Sequence, residues 1–379
     1  MIKIDHVHFY VEDAKVWRDW FVHHLGFQAV TNGINSSHTC TEVVKSGVVC
    51  FLLSSPLLPT SPVAEFLHQH PPGVADIAFI VEDVEAAIAQ AQAYDIEVLQ
   101  PIQEYQEGGI SLKSCKIAAW GGLTHTLIEK HYRRVGEWES ERVEEISKQL
   151  PLSPFPLVPP SPSPLNPPPS SITAIDHIVL NVAAGDLERA VAWYKNILDF
   201  QPQQIFKIKT DRSALYSQVM VSRNGSIQMP INEPASNNSQ IQEFLDVNRG
   251  PGIQHIALRI PNLINAIAQF RACGLSLLSV PNSYYSRLKQ RVGFPLSHQE
   301  IEAIAQQEIL VDWQEDAAVG ARNAAPLLLQ IFTQPIFQQP TFFFEFIERR
   351  LQAQGFGEGN FRALFEAIES EQIKRGTLN

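Results

Sequence analysis

Cysteine is scarce in this chain. Four occur among 379 residues, Cys40, Cys50, Cys115 and Cys273, and no two stand in a CxxC or zinc-type spacing. That argues against a disulfide scaffold or a cysteine-ligated zinc module and suits a reduced cytoplasmic setting. Basic runs are missing too: 29 Lys and Arg stand against 40 Asp and Glu, giving a formal charge of −11. Nucleic acid and anionic membrane surfaces are therefore poor partners. No apolar run reaches the ~18 residues of a membrane helix. A strand pattern begins at Ile2, which leaves no room for a signal or transit peptide. We expect a soluble cytoplasmic protein, with 45% hydrophobic residues to build the cores of two or three domains.

What the chain does have is a repeat. GVADIAFIVEDVEAAIAQ (73–90) lies over GIQHIALRIPNLINAIAQ (252–269) without a gap, IDHVHFYV (4–11) over IDHIVLNV (175–182), and LGF (25–27) over LDF (198–200). Strand, helix and further strands, repeated, indicate an internal duplication. Between the halves, 151–170 is half proline, which excludes helix and central strand and predicts an extended spacer. The polar stretch 135–150 before it reads as a surface helix. The expected organisation is a first domain over 1–150, a linker over 151–171 and a second domain over 172–379.

Within the first half, His6 and His8 share a strand face, and Val16, Trp17, Trp20, Phe21 and His24 mark a helical stripe. Strands follow in 41–56 around a Ser-Gly turn, at 73–81, and in 116–131 around a Gly-Gly turn, with a helix over 86–94. In the second half, 187–200 reads as an amphipathic helix, and 213–222 and 227–234 as strands around the turn at 223–225. Ser297 and Glu300 form a capping-box pattern. The last strands are 326–333 and 341–347. The Gly-rich stretch from 355 then feeds a helix with Phe361, Leu364, Phe365 and Ile368 on one stripe, either a core helix or a lid.

Three residues point to chemistry. His255 sits mid-strand in GPGIQHIALRI (250–260), where alternation groups it with Ile253 and Ala257. A hydrogen-bonded core histidine is the bland reading. However, His177 opens another strand, DHIVLNV (176–182), and Glu345 stands among the phenylalanines of TFFFEFIERR (341–350). An ionised carboxylate inside an apolar strand costs several kcal/mol without a compensating cation. Two imidazoles and a carboxylate with open positions are what a mononuclear non-haem Fe(II) site uses, although affinity order alone would favour copper or nickel.

The motifs GPGIQHIAL, PINEP, LLLQIFT, FFFEFIERR and GFGEGNF resemble those of the 4-hydroxyphenylpyruvate dioxygenase family of the vicinal oxygen chelate superfamily, densely from about Ile172 to Glu369. The resemblance implies an α+β fold of tandem vicinal oxygen chelate domains, paired βαβββ modules forming open barrels. It implies one Fe(II) per chain, held by His177, His255 and Glu345. It further implies contacts to substrate from Ser217, Asn232, Gln240, Gln254, Gln330, Phe332 and Phe343, with Phe356, Asn360, Phe361 and Phe365 in a closing helix and its hinge. Gln254 is the awkward one, since strict alternation turns it away from His255.

The implied reaction takes 4-hydroxyphenylpyruvate and O2 to homogentisate and CO2, in tyrosine catabolism or in supply of homogentisate for prenylquinone and tocopherol synthesis. The rivals are hydroxymandelate synthase, which attacks the benzylic carbon of the same substrate, and a ligand-binding protein of this fold that has lost catalysis. Pro230 and Asn232 favour the dioxygenase. A homo-oligomer is the expected assembly. In the first half, His6 and Glu129 are expected where His177 and Glu345 stand, with Asp76 in place of His255, so that site is expected to be vestigial. His68, His70, His125 and His131 read as solvated, and Phe342 and Phe344 as core packing.

Overall fold

The computed structural model describes residues 1–30, 34–107, 110–132, 171–210, 213–291, 293–313 and 326–376. The proline-rich spacer at 151–170 and the polar stretch at 135–150 lie outside the described residues. Each half builds one mixed sheet, nine-stranded in the first and eight-stranded in the second. From edge to edge, the second sheet runs Phe200–Lys209, Ala214–Ser222, Gln228–Pro234, Ala174–Asn181, Gly252–Arg259, Phe343–Arg350, Leu327–Phe332, Leu310–Trp313. The sheet curls into a cup, because Phe206 near one end and Phe332 near the other line the same cavity. Its centre is the antiparallel pair Ala174–Asn181 and Gly252–Arg259, flanked on each side by a parallel neighbour.

The repeat is visible in the caps as well as in the strands. Helix Ala14–Leu25 ends at Gly26 with φ 69°, and helix Leu187–Leu198 at Asp199 with φ 55°, each donating its N–H back into the last turn. These are the left-handed caps that stop a helix, which glycine adopts without steric cost and aspartate tolerates. Ser297 caps its helix by accepting the Glu300 N–H at 3.2 Å, but the Glu300 carboxylate bonds Arg350 rather than closing a capping box. Several elements lacked a clear period: the strands Phe200–Lys209, Val98–Glu107 and Leu310–Trp313, and the helices Pro62–Gln69, Gln240–Asn248 and Asn282–Leu288. Most are short or face solvent on one side, where the apolar signal is weakest.

The central pair in the second half carries two β-bulges. Ile175 faces Leu258 while His177 faces Ala257, so Asp176 is extra; Val179 faces His255 while Leu180 faces Ile253, so Gln254 is extra. The first half repeats both, at Asp5 and Ala75. A bulge shifts the side-chain alternation by one. Ile253 consequently joins Ile256 and Leu258 in the core, not His255 as simple alternation expects, and Gln254 turns to the cavity beside His255.

One apolar core runs through both halves. Phe342, Phe344 and Phe346 alternate with Phe343 and Glu345, and the first set faces this core. Phe342 meets Phe9 at 5.2 Å between ring centroids, and Phe344 meets Phe21 at 5.8 Å and Phe51 at 5.9 Å. The first half thus backs the strand that carries Glu345. Phe344 is fully buried, so Phe344→Ala should cost about 3–5 kcal/mol of stability. Denaturant unfolding checks this, and a loss under 1 kcal/mol would mean the halves do not lean on that ring.

Candidate metal centre

Three neighbouring strands each supply one side chain to the floor of the cup: His177, His255 and Glu345. The parallel register sets Ala257 beside Glu345 and the antiparallel register sets Ala257 opposite His177, so a small residue separates the two. His177 Nε2 lies 3.1 Å and His255 Nε2 3.6 Å from Glu345 Oε2. The three ligand atoms fall within 4.8 Å of one another. Donors about 2.0–2.3 Å from one first-row ion have that spacing. Mixed imidazole and carboxylate donors, buried and on one side only, fit a divalent transition metal with open positions.

The charges agree. Burial pushes the Glu345 carboxyl up, but the facing histidines overcome this and hold it at about 2. Burial likewise opposes charge on His177, yet Glu345 and Asp176 raise it to about 9. His255 is half-buried, its Nδ1 is buried and unpartnered, and desolvation lowers its pKa. Asp176, the bulged residue, meets His177 Nδ1 at 3.1 Å, which leaves Nε2 for the cup. Its own charge is balanced by Arg349 at 2.7 Å and Arg259 at 2.6 Å. Such an outer carboxylate fixes a ligating imidazole's orientation and tautomer. Asp176, Arg349 and Arg259 were not singled out from the sequence, although the dipeptide Asp-His recurs at Asp5–His6 and was a usable signal.

Above the three side chains is a cavity of about 90 Å³, room for a small ligand. Ser217, Asn232, Gln240, Gln254, Gln330, Phe332, Phe343, Phe356, Phe361 and Phe365 all line it. Phe343 stacks on His255 at 4.8 Å and 19°. Ser217 and Asn232 are register partners on adjacent strands, and Asn232 Nδ2 donates to Asn181 Oδ1 at 3.3 Å, leaving Oδ1 as an acceptor. Phe206, Ile208, Leu215, Ile241, Leu364 and Ile368 complete the apolar wall. The first four had no assigned role, although Phe206 and Ile208 alternate with lysines in FQPQQIFKIK. Asn360 stands in the stretch before the last helix, off the cavity wall, and donates Nδ2 to Gln330 Oε1 at 3.0 Å.

The first half corrects two expectations. Glu129 corresponds to Glu348, not Glu345: Glu129 accepts the Val84 N–H and Glu348 the Leu263 N–H, each at the start of the duplicated helix. By register, Thr126 takes the Glu345 place. The carboxylate was misplaced because the ends of the two strands look alike. His125 is buried, not solvated; it contacts Ile77 O at 3.1 Å and the Tyr194 hydroxyl at 3.2 Å across the halves. His70 Nδ1 likewise donates to Asn248 O at 2.8 Å. Among the described residues the other acidic group, Asp83, Glu85 and Glu129, is already engaged in helix capping and with Lys113.

The fold and this site define a member of the Glyoxalase/Bleomycin resistance protein/Dioxygenase superfamily, whose family model matches residues 5–112 and 176–294. The chain is 36% identical over 393 residues to a 4-hydroxyphenylpyruvate dioxygenase of Caenorhabditis briggsae, covering 100% of this chain and 94% of that protein. It is 35% identical over 389 residues to one of Yarrowia lipolytica, covering 99% and 93%. A solved triple mutant of 4-hydroxymandelate synthase from Streptomyces coelicolor shares the fold at TM-score 0.78, with 23% identity and 98% of each chain covered. The chain belongs to the 4-hydroxyphenylpyruvate dioxygenase family. Among the described residues, no helix is long and apolar enough to cross a membrane.

A metal ion bound through His177 would have to displace the proton on that ring. Because that pKa is raised to about 9, apparent metal affinity should weaken about tenfold per pH unit on acidification below it, one proton being released per ion. Cobalt titrations across a pH series check the slope; a flat profile would remove His177 from the ligand set.

Proposed function

We propose that this protein converts 4-hydroxyphenylpyruvate and O2 to homogentisate and CO2, using one Fe(II) held by His177, His255 and Glu345. The observation that carries the reading is the convergence of these buried groups at the floor of an apolar cavity whose few polar groups are grouped on its walls. When bound, the iron supplies O2 activation and chelation of an α-keto acid through its open positions. The chain's own residues do the rest.

Phe332 and Phe343 give the aromatic ring apolar faces to lie against. Ser217 and the free Oδ1 of Asn232 meet the phenol hydroxyl on the opposite wall. Gln240 and Gln254 are further polar contacts. Phe356, Phe361 and Phe365 close over the top and keep water from the reacting centre. Gly355 and Gly357, with φ of 82° and 76°, give the hinge a backbone that other residues rarely adopt. At Gly357 a Cβ would also stand 1.8 Å from Gln330 Oε1, so the closing segment packs against the very residue that touches Glu345.

The first half takes no metal in this reading. Its corresponding positions are His6, Asp76 and Thr126, one ligating side chain short of a triad, and Lys116 already stands 3.7 Å from Asp76. Iron titration should therefore saturate at one equivalent per chain. A second equivalent lost on mutating His6 would overturn this. We place the protein in the cytoplasm as a homo-oligomer, a compartment that suits free cysteines.

The product tests the function itself. Ring and benzylic attack differ in which carbon lies nearer the metal, so a grip on the phenol decides between them. A hydrogen bond to Asn232 contributes about 0.5–1.5 kcal/mol, and ~1.4 kcal/mol at a branch is tenfold in product ratio. Mass and NMR analysis after anaerobic iron loading and addition of substrate and air should give homogentisate. Asn232→Ile should leak measurably toward hydroxymandelate. Hydroxymandelate as the main native product would overturn the assignment.

A further inference from the structure

The two oxygens of Glu345 have different neighbours. Oε2 faces the histidines, while Oε1 accepts from Gln330 Nε2 at 2.8 Å. Gln330 Nε2 also donates to Phe356 O at 2.9 Å. Two acceptors on one side fix the amide's sense, so Gln330 Oε1 must face a donor. That donor is Asn360 Nδ2, at 3.0 Å. Asn360 then presents its oxygen outward, where it needs a donor in turn. The Tyr284 hydroxyl lies 2.8 Å from it.

Tyr284 is suited to end such a chain. Its ring is buried on helix Asn282–Leu288 and packs edge-on against Tyr285 at 5.0 Å. Its oxygen accepts the Val311 N–H at 2.8 Å, which ties it to the edge strand of the sheet, and its one hydrogen faces Asn360 Oδ1 at 2.8 Å more closely than Val311 O at 3.0 Å. Burial pushes its pKa up, so it keeps its proton. Asn360, by contrast, follows the glycine-rich hinge. A fixed hydroxyl therefore reaches a metal-facing carboxylate through one residue of the closing segment and one of the sheet.

We propose that Tyr284 is a positioning residue for the metal-binding carboxylate, holding Asn360 and, through Gln330, the donor on Glu345 Oε1 when the 355–361 segment is closed. The inference rests on Glu345 being a metal ligand. Closing the cavity and aligning that ligand are then one event, because Asn360 belongs to both. Without the hydroxyl, Asn360 is left with a buried acceptor unmet and no reason to present its NH2 to Gln330.

The test uses the full chain, Co(II) alone as the probe, and its visible absorption as the readout. Tyr284→Phe keeps the ring and should bind cobalt about tenfold more weakly, the lower end of outer-layer effects on metal sites. Hydrogen exchange at the 355–361 amides should quicken in the same variant. Tyr285→Phe is the control. It removes an equally buried hydroxyl that donates to Ile309 O at 3.1 Å, and its cobalt affinity should stay within about twofold of wild type. Asn360→Asp keeps an acceptor for Tyr284 but offers Gln330 no donor, and it should match Tyr284→Phe; it carries the test if Tyr284→Phe does not fold. Wild-type affinity in Tyr284→Phe or Asn360→Asp, or an equal loss in Tyr285→Phe, overturns the inference and leaves the metal assignment standing. A wild-type chain that binds no cobalt in a His255-dependent way overturns both.

Discussion

A negative charge buried among phenylalanines must be compensated, and Glu345 is such a charge. Removing an ionised carboxylate from water costs several kcal/mol even after relaxation. The structure meets that cost on both oxygens, with two imidazoles on one side and the Gln330 amide on the other. Two of these partners are held in their turn, His177 by Asp176, itself between two arginines, and Gln330 by Asn360, while His255 stacks on Phe343 with Nδ1 unpartnered. Half of a polar network would be worse than none. On the His177 and Gln330 sides the site is therefore built as a connected set.

Both arms of that set reach the hinge before the last helix. One runs from Glu345 through Gln330 to Phe356 O and Asn360. The other runs from His177 through Asp176 to Arg349, which donates to Ala353 O at 3.0 Å and Gly355 O at 2.9 Å. The segment that covers the cavity is thus anchored to the outer partners of two of the three buried groups. Its aromatic residues supply the cover, and its backbone carbonyls supply the anchor.

The duplication shows how one scaffold serves two ends. Both central pairs carry the same two bulges, and both repeat Asp-His. In the second half these bring Gln254 and His255 to one cavity. In the first half the corresponding face holds Asp76 against Lys116 and Thr124, while the outer face packs phenylalanines against the strand of Glu345. Its visible work is to back that strand with packed rings.

The repeat, the strands that carry His177, His255 and Glu345, and the presence of the last helix were legible in the chain, because each rests on local periodicity or on a charge out of place in an apolar run. The cavity side of FFFEF came with the resemblance, and the observed split into core and cavity faces agrees with period two. Tertiary structure decided what alternation could not. A bulge is one extra residue whose presence depends on the partner strand, so the facing of Gln254 and Ile253 was not legible in GIQHIAL. The match of Glu129 to Glu348 depended on parallel register between residues 48 positions apart, Asp76 and Thr124. Asp176, Arg349 and Tyr284 act through partners far along the chain, and only folding brings those partners within hydrogen-bond distance.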